Sequence, residues 1–144
     1  MQSDARVAEV KEKVQRYLLE LLNTVSLDRD GDFTFRHGSS QIFISVAAFG
    51  ESNTSVRIVA PIIRDAPASP ELFKFVATGN TYRFGHLSAS EEGGKVSIVF
   101  AHTLLGDFLD PDELKLATVL LARTADELDD KIKSQFGGHS FHES

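Results

Sequence analysis

The side chains best suited to chemistry lie in a short acidic run, Asp28–Asp32, in which aspartates alternate with arginine and glycine. Alternating carboxylates are typical of EF-hand calcium loops, which also need a glycine at loop position 6 and a bidentate glutamate at position 12. If Asp28 is position 1, Phe33 stands where the glycine belongs, and if Gly31 is position 6, His37 stands where the glutamate belongs. Neither register works, so we interpret the run as a solvated turn, for which Asp and Gly are favoured residues.

The five histidines are the next candidates, as metal ligands. His139 and His142 fall within residues 139–144, which we expect to form a flexible tail. His86 and His102 lie on neighbouring predicted strands and could approach each other. A structural zinc site normally needs four ligands, and the chain has no cysteine and no acidic residue at ligand spacing. The sequence therefore predicts no metal site.

Motifs of catalysis and cofactor binding are missing from the sequence. It contains no Gly-x-Ser-x-Gly nucleophile elbow, no Gly-x-Gly-x-x-Gly fingerprint and no Walker sequence. Gly93-Gly94 falls in a predicted hairpin turn, which accounts for both glycines. Ser, His and Asp occur throughout, but no order or spacing selects a triad, and triads are recognised by geometry. We predict no catalytic residue and no cofactor, and hence a protein that is not an enzyme.

The charge of the chain argues against two classes of partner. Its 144 residues include 21 acidic and 15 basic side chains, for a net charge of −6, and the basic residues are scattered. Nucleic-acid binding normally shows as a clustered basic stripe, so we expect no nucleic-acid partner and, by the same reasoning, no anionic membrane surface. Neither a signal peptide nor an apolar run of about 18 residues is visible, which predicts a cytoplasmic protein.

The elements that position these side chains can be read from hydrophobic periodicity. A helix is predicted over 4–25, where apolar residues recur at helical spacing. Strands follow at 33–36, 41–49 and 55–63, joined by short turns as in an antiparallel meander. Because Pro61 cannot donate to a strand ladder, we expect the end of the third strand to lie at a sheet edge.

A short helix and a hairpin come next. Ser69 and Pro70 are the expected first residues of this helix, and Gly79 or Asn80 ends it. Strands at 81–87 and 95–102 then form a hairpin around the turn at 88–94.

The last element is a long helix with clear signals at both ends. Asp110 starts it with an Asp-x-x-Glu capping box, and Gly137-Gly138 ends it. The order α-β-β-β-α-β-β-α predicts an α+β fold. We expect a single domain over 4–138, with an antiparallel sheet packed against the two long helices.

The predicted strands are apolar on both faces, whereas a sheet with one solvated face alternates more cleanly. One set of alternate residues, such as Ile42 and Ile58, belongs under the long helices. The opposite set is still partly apolar and supplies the predicted protein-binding residues: Phe43, Phe49, Arg57, Val59, Ile63 and Val99. Either the short helix or a Phe-bearing loop covers this second face, or the face is an exposed apolar patch that marks an interaction surface.

Several short sequences in a fixed order resemble one group of known proteins. They are Val59-Ala60-Pro61, Glu71-Leu72, Asn80, Phe84-Gly85-His86-Leu87, His102-Thr103-Leu104-Leu105-Gly106-Asp107, Glu113-Leu114, Ala125-Asp126 and Phe136-Gly137-Gly138. With the element order, they resemble the type III secretion chaperones and the related YbjN family of bacterial sensory transduction regulators, and the actinobacterial branch is the most similar. The resemblance extends from about Asp4 to Gly138. One departure is Thr78, near which another asparagine is expected before Asn80.

The resemblance implies a chaperone-like or regulatory module of the bacterial cytoplasm that binds a protein or peptide, often as a dimer, without catalysis. It carries over no catalytic residue. Asp126 and the pair Gly137-Gly138 are interpreted as structural, with Asp126 capping or pairing locally. An alternative of another class stays open: a small-molecule sensor or minor enzyme with a pocket between the sheet and the short helix that includes His86, Arg57 and Arg83.

Overall fold

The structure, a computed structural model, describes residues 2–142 and confirms the α+β class. Within these residues the chain forms three helices: α1 (Gln2–Leu21), α2 (Pro70–Thr78) and α3 (Pro111–Phe136). It also forms six strands: β1 (Ser26–Leu27), β2 (Phe33–His37), β3 (Ser40–Phe49), β4 (Asn53–Pro67), β5 (His86–Glu92) and β6 (Lys95–Leu105). None of the helices in this part of the chain is long and apolar enough to cross a bilayer.

The strands form one antiparallel sheet in the order β1-β2-β3-β4-β6-β5. The first four strands follow each other as the predicted meander, and the β5–β6 hairpin joins the sheet through β6, which pairs with β4. β1 is an additional strand of two residues directly before the acidic run Asp28–Asp32, which we predict as a turn. It pairs Leu27 with Phe33 at the outer edge of the sheet.

Local signals set the ends of α2 and α3 as predicted. The hydroxyl of Ser69 accepts from the Leu72 backbone N–H (3.1 Å), and Pro70 occupies the first turn, where a missing N–H costs nothing. The Asp110 carboxylate accepts in the same way from the Glu113 N–H, at 2.7 Å. Gly137, at φ 84°, follows the last residue of α3, because a left-handed conformation favours glycine.

The core lies between the sheet and the two long helices, as predicted. α1 and α3 contact the same face of the sheet and each other. The largest fully buried side chains come from the helices and from alternate strand positions: Val14, Leu18, Ile42, Ile44, Ile58, Ile62, Leu72, Ile98, Phe100, Leu114, Leu121 and Ile132. Period-two alternation in the strands and period-3.6 spacing in the helices therefore converge on one apolar layer.

β4 is longer than predicted and changes its partners along its length. Its pairing with β3 extends from Phe49↔Asn53 to Phe43↔Val59, while its pairing with β6 continues to Pro67↔Lys95. Pro61 follows the last pair with β3, so β4 is an edge there on one side only. The prediction of an edge at Pro61 is therefore right locally, although β4 as a whole is central in the sheet.

The predicted strand at 81–87 is wrong. β5 begins at His86 and continues to Glu92, through residues that we predict as a turn, and the turn consists of Gly93-Gly94 alone. Both glycines have positive φ (59° and 79°), which a two-residue hairpin of matching twist requires. Tyr82 and Phe84 therefore lie in the segment before β5, where Tyr82 packs edge-on against Phe100 with ring centroids 5.1 Å apart.

Residues 139–142, part of the tail that we expect to be flexible, lie against the sheet. His139 and Arg64 of β4 exchange two backbone hydrogen bonds, each of 2.9 Å. The bonds form where β3 no longer pairs with β4, because that stretch of β4 leaves backbone groups without a strand partner. The rest of the tail prediction, for residues 143 and 144, lies outside the described residues.

Candidate functional site

The sheet has two unlike faces. α1 and α3 contact one of them, which we call the helix face, and the other is the open face. Successive side chains of a strand point to opposite faces. Since Ile42, Ile44 and Ile58 are fully buried on the helix face, their neighbours Phe43 and Val59 belong to the open face.

The strand register brings five apolar residues of the open face together. Phe43 of β3 pairs with Val59 of β4, and Val59 pairs with Ala101 of β6. In the adjoining row, Pro61 of β4 pairs with Val99 of β6. We call these five residues the apolar patch. Side chains that pair directly across strands lie about 4.5–5.5 Å apart, so the patch is continuous over three strands.

Polar side chains border the patch on one side. In the row beyond Val59, Arg57 pairs with Ser45 on one side and with Thr103 on the other. Arg57 is exposed and makes no ion pair with a described residue. An exposed guanidinium next to an apolar surface is suited to receive a carboxylate, because its N–H groups match the two carboxylate oxygens.

One ring of the chain itself covers part of the patch. Phe141 packs edge-on against Phe43, with ring centroids 5.6 Å apart. Val59 and Val99 are partly exposed, while Ala101 is buried although it is not part of the core cluster. The patch therefore remains in part accessible, and the Phe141 ring covers the part of it at Phe43.

The short helix does not cover the open face, which settles one of the alternatives left by the sequence. Leu72 of α2 is buried in the core cluster, and Phe75 packs against Phe136 of α3 at 5.4 Å. The Nζ atom of Lys131, also on α3, lies over the Phe75 ring, 5.7 Å from the ring centroid. Because α3 lies on the helix face, α2 lies there too.

The structure brings most of the predicted binding residues together. Phe43, Val59 and Val99 lie in the apolar patch, and Arg57 lies directly beside it. Phe49 is further away, at the end of β3, where 45% of its surface is exposed.

Ile63 is not part of the open face, and its predicted place there is wrong. The register of β4 shifts between Pro61 and Ile63, so that Ile63 pairs with Ile98 of the helix face. Ile62 and Ile63 are both buried, with 1% and 3% of their surfaces exposed. The extra residue of a β-bulge turns the following side chain to the opposite face. Strict alternation, on which the prediction rests, cannot detect this shift.

The acidic run and the histidines form no metal site in the described part of the chain, where no group of three or more potential ligands is assembled. The carboxylate of Asp28 accepts from the backbone N–H groups of Asp30 and Asp32, each at 2.9 Å, as in the predicted turn. His86 and His102 lie on adjacent strands but in different rows and on different faces. Burial lowers the pKa of His102, and the charge of His86 lowers it further.

The small-molecule alternative requires His86, Arg57 and Arg83 to converge, which they do not. Arg57 is on β4, His86 is two strands away on β5, and Arg83 is exposed in the segment that precedes β5. Arg57 and His86, which pairs with Ala101, both belong to the open face, whereas α2 lies on the helix face, so neither lines a pocket between the sheet and α2. The underside of α2, where that pocket would lie, is filled by Leu72 and Phe75.

Comparison with known families gives this arrangement a context. Residues 8–144 match the family model described as T3SS (YopN, CesT) and YbjN peptide-binding chaperone 1, or TY-Chap1. The chain belongs to this family. The match covers nearly the whole chain and confirms the resemblance to secretion chaperones and YbjN proteins, as well as the interpretation as a chaperone-like binding module. The family is one of chaperones rather than enzymes. No curated protein matches the chain.

In this TY-Chap1 chain, several of the residues that carry the resemblance fix the positions of turns through hydrogen bonds and close packing. The Asp107 carboxylate accepts from the backbone N–H of Thr54 and from Arg6, both at 2.9 Å, so it joins the β3–β4 turn to α1. These hydrogen bonds, that of the Thr54 N–H above all, hold the pKa of Asp107 below its usual value. A Cβ atom on the preceding Gly106 would collide with the Thr54 side chain.

Asp126 has the same kind of role at the β2–β3 turn, over a longer range than we predict. Its carboxylate accepts from the backbone N–H (3.0 Å) and the hydroxyl (2.8 Å) of Ser39, 87 residues earlier. A Cβ atom on Gly38 would lie 2.6 Å from this carboxylate, so the turn can approach α3 only with glycine there. The expectation that Asp126 is structural therefore agrees with these contacts, but its partner is distant in sequence.

Asn80, too, has a structural role. Its side chain donates to the Leu87 carbonyl (2.9 Å) and accepts from the Leu87 N–H (2.7 Å), which fixes the start of β5. The family signature therefore lies mainly in turns and caps. Among the residues that carry the family resemblance, only Val59, Pro61 and His86 lie in the two open-face rows that contain the patch.

Proposed function

We propose that this protein binds an extended peptide segment of a partner protein on the open face, over the apolar patch and beside Arg57. The observation that carries the proposal is the patch itself: five adjoining apolar residues on the sheet face that none of the three helices covers. Exposed apolar patches with a polar border are typical of interaction surfaces. Membership of a peptide-binding chaperone family supports the same role.

The chemistry of the open face favours one class of peptide. Apolar side chains fit over Phe43, Val59 and Val99, and an acidic side chain fits beside Arg57. The five apolar residues extend about 10 Å across three strands but only about 7 Å along them, because adjoining rows of one face are two residues apart. In that direction the patch is narrower than an amphipathic helix with its full side chains, about 10–12 Å across. An extended segment, with alternate side chains directed at the sheet, matches these dimensions better.

Several finer statements belong to this proposal. We propose that the protein has no catalytic activity and that it acts in the cytoplasm. We also propose that it belongs to the actinobacterial branch of the family. The homodimer and the absence of a nucleic-acid partner stay predictions. Size-exclusion chromatography with light scattering tests the first, and a filter-binding assay with labelled DNA and RNA tests the second.

The test of the proposed function starts with a random peptide library displayed on phage and selected against the wild-type chain. Affinity for the selected peptide is then measured by fluorescence anisotropy for wild type, Val59→Asp and Gln15→Glu. Gln15 is exposed on α1, on the other side of the sheet, and its substitution adds the same charge away from the patch. We expect Val59→Asp to weaken binding by at least about tenfold, equivalent to 1.4 kcal/mol, and Gln15→Glu to leave it unchanged.

Circular dichroism and urea unfolding confirm that each variant is folded before binding is compared. If Val59→Asp is unstable, Phe43→Ser tests the same surface without introducing a charge. Equal affinity of wild type and both patch variants would show that the peptide binds elsewhere. Failure to select any peptide that binds the wild-type chain contradicts the proposed function as a whole.

A further inference from the structure

The segment after α3 returns to the sheet through two glycines, Gly137 and Gly138. Gly137 and Gly138 have φ values of 84° and 86°, and this reverses the chain at the end of the helix. Gly138 lies so close to β4 that a Cβ atom there would be 2.7 Å from the Arg64 carbonyl oxygen. His139 and Arg64 then exchange their two backbone hydrogen bonds. The segment thus pairs with β4 in the manner of a short added strand.

The same segment carries one aromatic residue onto the apolar patch. Phe141, two residues after His139, packs against Phe43 at an interplanar angle of 68°. The residues around it are small or polar: glycine, histidine and serine. The contact therefore has two parts, a backbone pair at Arg64 and an aromatic ring on Phe43.

The contact leaves the Phe141 ring only partly buried. Phe141 keeps 41% of its surface exposed, whereas the ring of Phe100 on the helix face is fully buried. The His142 ring rests on Phe141 at 5.0 Å and is itself exposed. A strand edge that offers backbone groups, next to a pocket for a side chain, is the arrangement by which folded domains capture extended peptides.

We infer that the segment His139–His142 is an internal occupant of the peptide site and that it shows what the partner segment must contain. This inference rests on the proposed function. The partner supplies an extended segment that exchanges backbone hydrogen bonds with Arg64 and places an aromatic side chain on Phe43. It enters by displacing Phe141. A segment tethered by a short linker competes at an effective concentration of about millimolar, so it weakens the binding of such a partner without abolishing it.

The probe is a synthetic peptide of residues 137–144, Gly-Gly-His-Ser-Phe-His-Glu-Ser, and the control peptide has serine in place of phenylalanine. Both are titrated into the full ¹⁵N-labelled chain, and amide shifts near Arg64 and Val59 are followed by NMR, which measures millimolar affinities. The chains are wild type, Phe141→Ser and Phe73→Ser. Phe73 is a matched control, because this α2 ring has similar exposure (38%) but lies on the helix side.

We expect the probe to bind Phe141→Ser about twofold more tightly than wild type, because a competitor at about millimolar effective concentration halves the apparent affinity of a millimolar ligand and this variant removes the competitor's ring. Phe73→Ser should bind like wild type, and the control peptide should bind Phe141→Ser at least fivefold more weakly than the probe does. Phe43→Ser combined with Phe141→Ser should abolish the shifts at Val59.

Two results would overturn the inference. One is equal affinity of the probe for wild type and Phe141→Ser, and the other is equal affinity of Phe141→Ser for the probe and the control peptide. If the phage-selected peptide still binds and still depends on Val59, the proposed function stands and only the inference about the segment fails. If the selected peptide is also insensitive to Val59→Asp, the proposed site fails together with the inference.

Discussion

The two faces of the sheet are built from the same strands and are used differently. On the helix face the strand residues of the core, such as Ile42, Ile58 and Phe100, are fully buried beneath α1 and α3. On the open face the neighbours of these residues form a patch that is partly exposed and holds a single aromatic ring, that of Phe141. Apolar area that helices bury contributes to the free energy of folding, while apolar area left at the surface is available for binding.

This difference teaches where a change in the chain affects stability and where it affects recognition. A substitution on the helix face creates a cavity or a buried charge in a close-packed layer. The same substitution one residue away reaches water and leaves the fold in place. The comparison is therefore sharpest for pairs of similar residues that lie on opposite faces.

Ile63 and Val59 form the pair with the largest expected difference. Both are apolar residues of β4 that strict alternation assigns to one face, but the bulge places Ile63 on the helix face. We expect Ile63→Asp to lower the free energy of unfolding by about 4 kcal/mol or more, because it buries an unpaired carboxylate. Val59→Asp should cost about 1 kcal/mol, since its carboxylate reaches water.

Urea unfolding, followed by circular dichroism, measures both free energies under the same conditions. Ile63→Ala serves as a control that removes the side chain without adding a charge. An Ile63→Asp variant as stable as Val59→Asp would mean that the bulge is absent and that Ile63 lies on the open face, as strict alternation predicts.

Phe100 and Phe43 form the second pair, with the same ring on opposite faces. Phe100 is fully buried, contacts Tyr82 and fills the space beside Gly85, where a Cβ atom would meet the ring at 2.5 Å. We expect Phe100→Ala to lower the free energy of unfolding by about 3–5 kcal/mol. Phe43→Ala should cost about 1 kcal/mol, because Phe43 is only partly buried and contacts the part-exposed ring of Phe141.

Equilibrium urea unfolding again gives both values, and the slope of each transition shows whether the unfolded states are comparable. Similar losses in the two variants would show that the open face is packed as firmly as the helix face. In that case the patch would be part of the core and not a binding surface.

The sequence predicts the fold well wherever a local signal specifies it. Ser69, Asp110 and the glycines after α3 mark helix ends through hydrogen bonds within four residues, and they are where we predict them. The period-two spacing of Ile42 and Ile44 gives the buried face of β3 correctly, although Phe43 between them is apolar too. Periodicity and capping are local properties, so one sequence is enough to read them.

The errors arise where the deciding contact is distant or breaks the period. The bulge at Ile62 adds one residue, and Pro61 beside it does not reveal it unambiguously, because proline is found at sheet edges as well as at bulges. The contact of Phe141 with Phe43 joins residues nearly a hundred positions apart, so no local pattern around Phe141 shows that this ring reaches the sheet. Only Gly137-Gly138 gives a hint, as a reversal that directs the tail back toward the sheet.

The two faces also differ in whether their charged side chains are buried. The smallest expected change in stability follows from this difference. Arg57 of the open face is exposed, whereas Asp129 of α3, on the helix side, is only 3% exposed. The Asp129 carboxylate lies 2.6 Å from the Ser39 hydroxyl oxygen, which also lies 2.8 Å from Asp126. One hydroxyl hydrogen cannot serve two carboxylates, so a protonated Asp129 that donates to Ser39 satisfies both contacts.

The pKa directions agree with this arrangement. Burial raises the pKa of Asp129 above its ordinary value, and the charges of Asp130 and Asp126 raise it further. The backbone N–H and hydroxyl of Ser39 lower the pKa of Asp126. Between its ordinary and its raised pKa, Asp129 binds more protons in the folded state than in the unfolded state. Its contribution to stability is therefore full below the ordinary value, 3.8, and is lost as the pH rises through the raised one.

We therefore expect Asp129→Asn to stabilise the protein by up to about 1 kcal/mol at pH 7, because the amide donates to Ser39 without a buried charge. The gain over wild type should shrink as the pH falls toward 3.8.

Asp126→Asn should instead destabilise the protein at pH 7, and this loss of stability should shrink below pH 3.8. Arg57→Gln, the open-face control, should stay within about 0.5 kcal/mol of wild type. Thermal and urea unfolding at pH 4 and pH 7 measure these differences. If Asp129→Asn is instead less stable than wild type at pH 7, the ionised form of Asp129, and not its protonated form, holds the turn at Ser39 against α3.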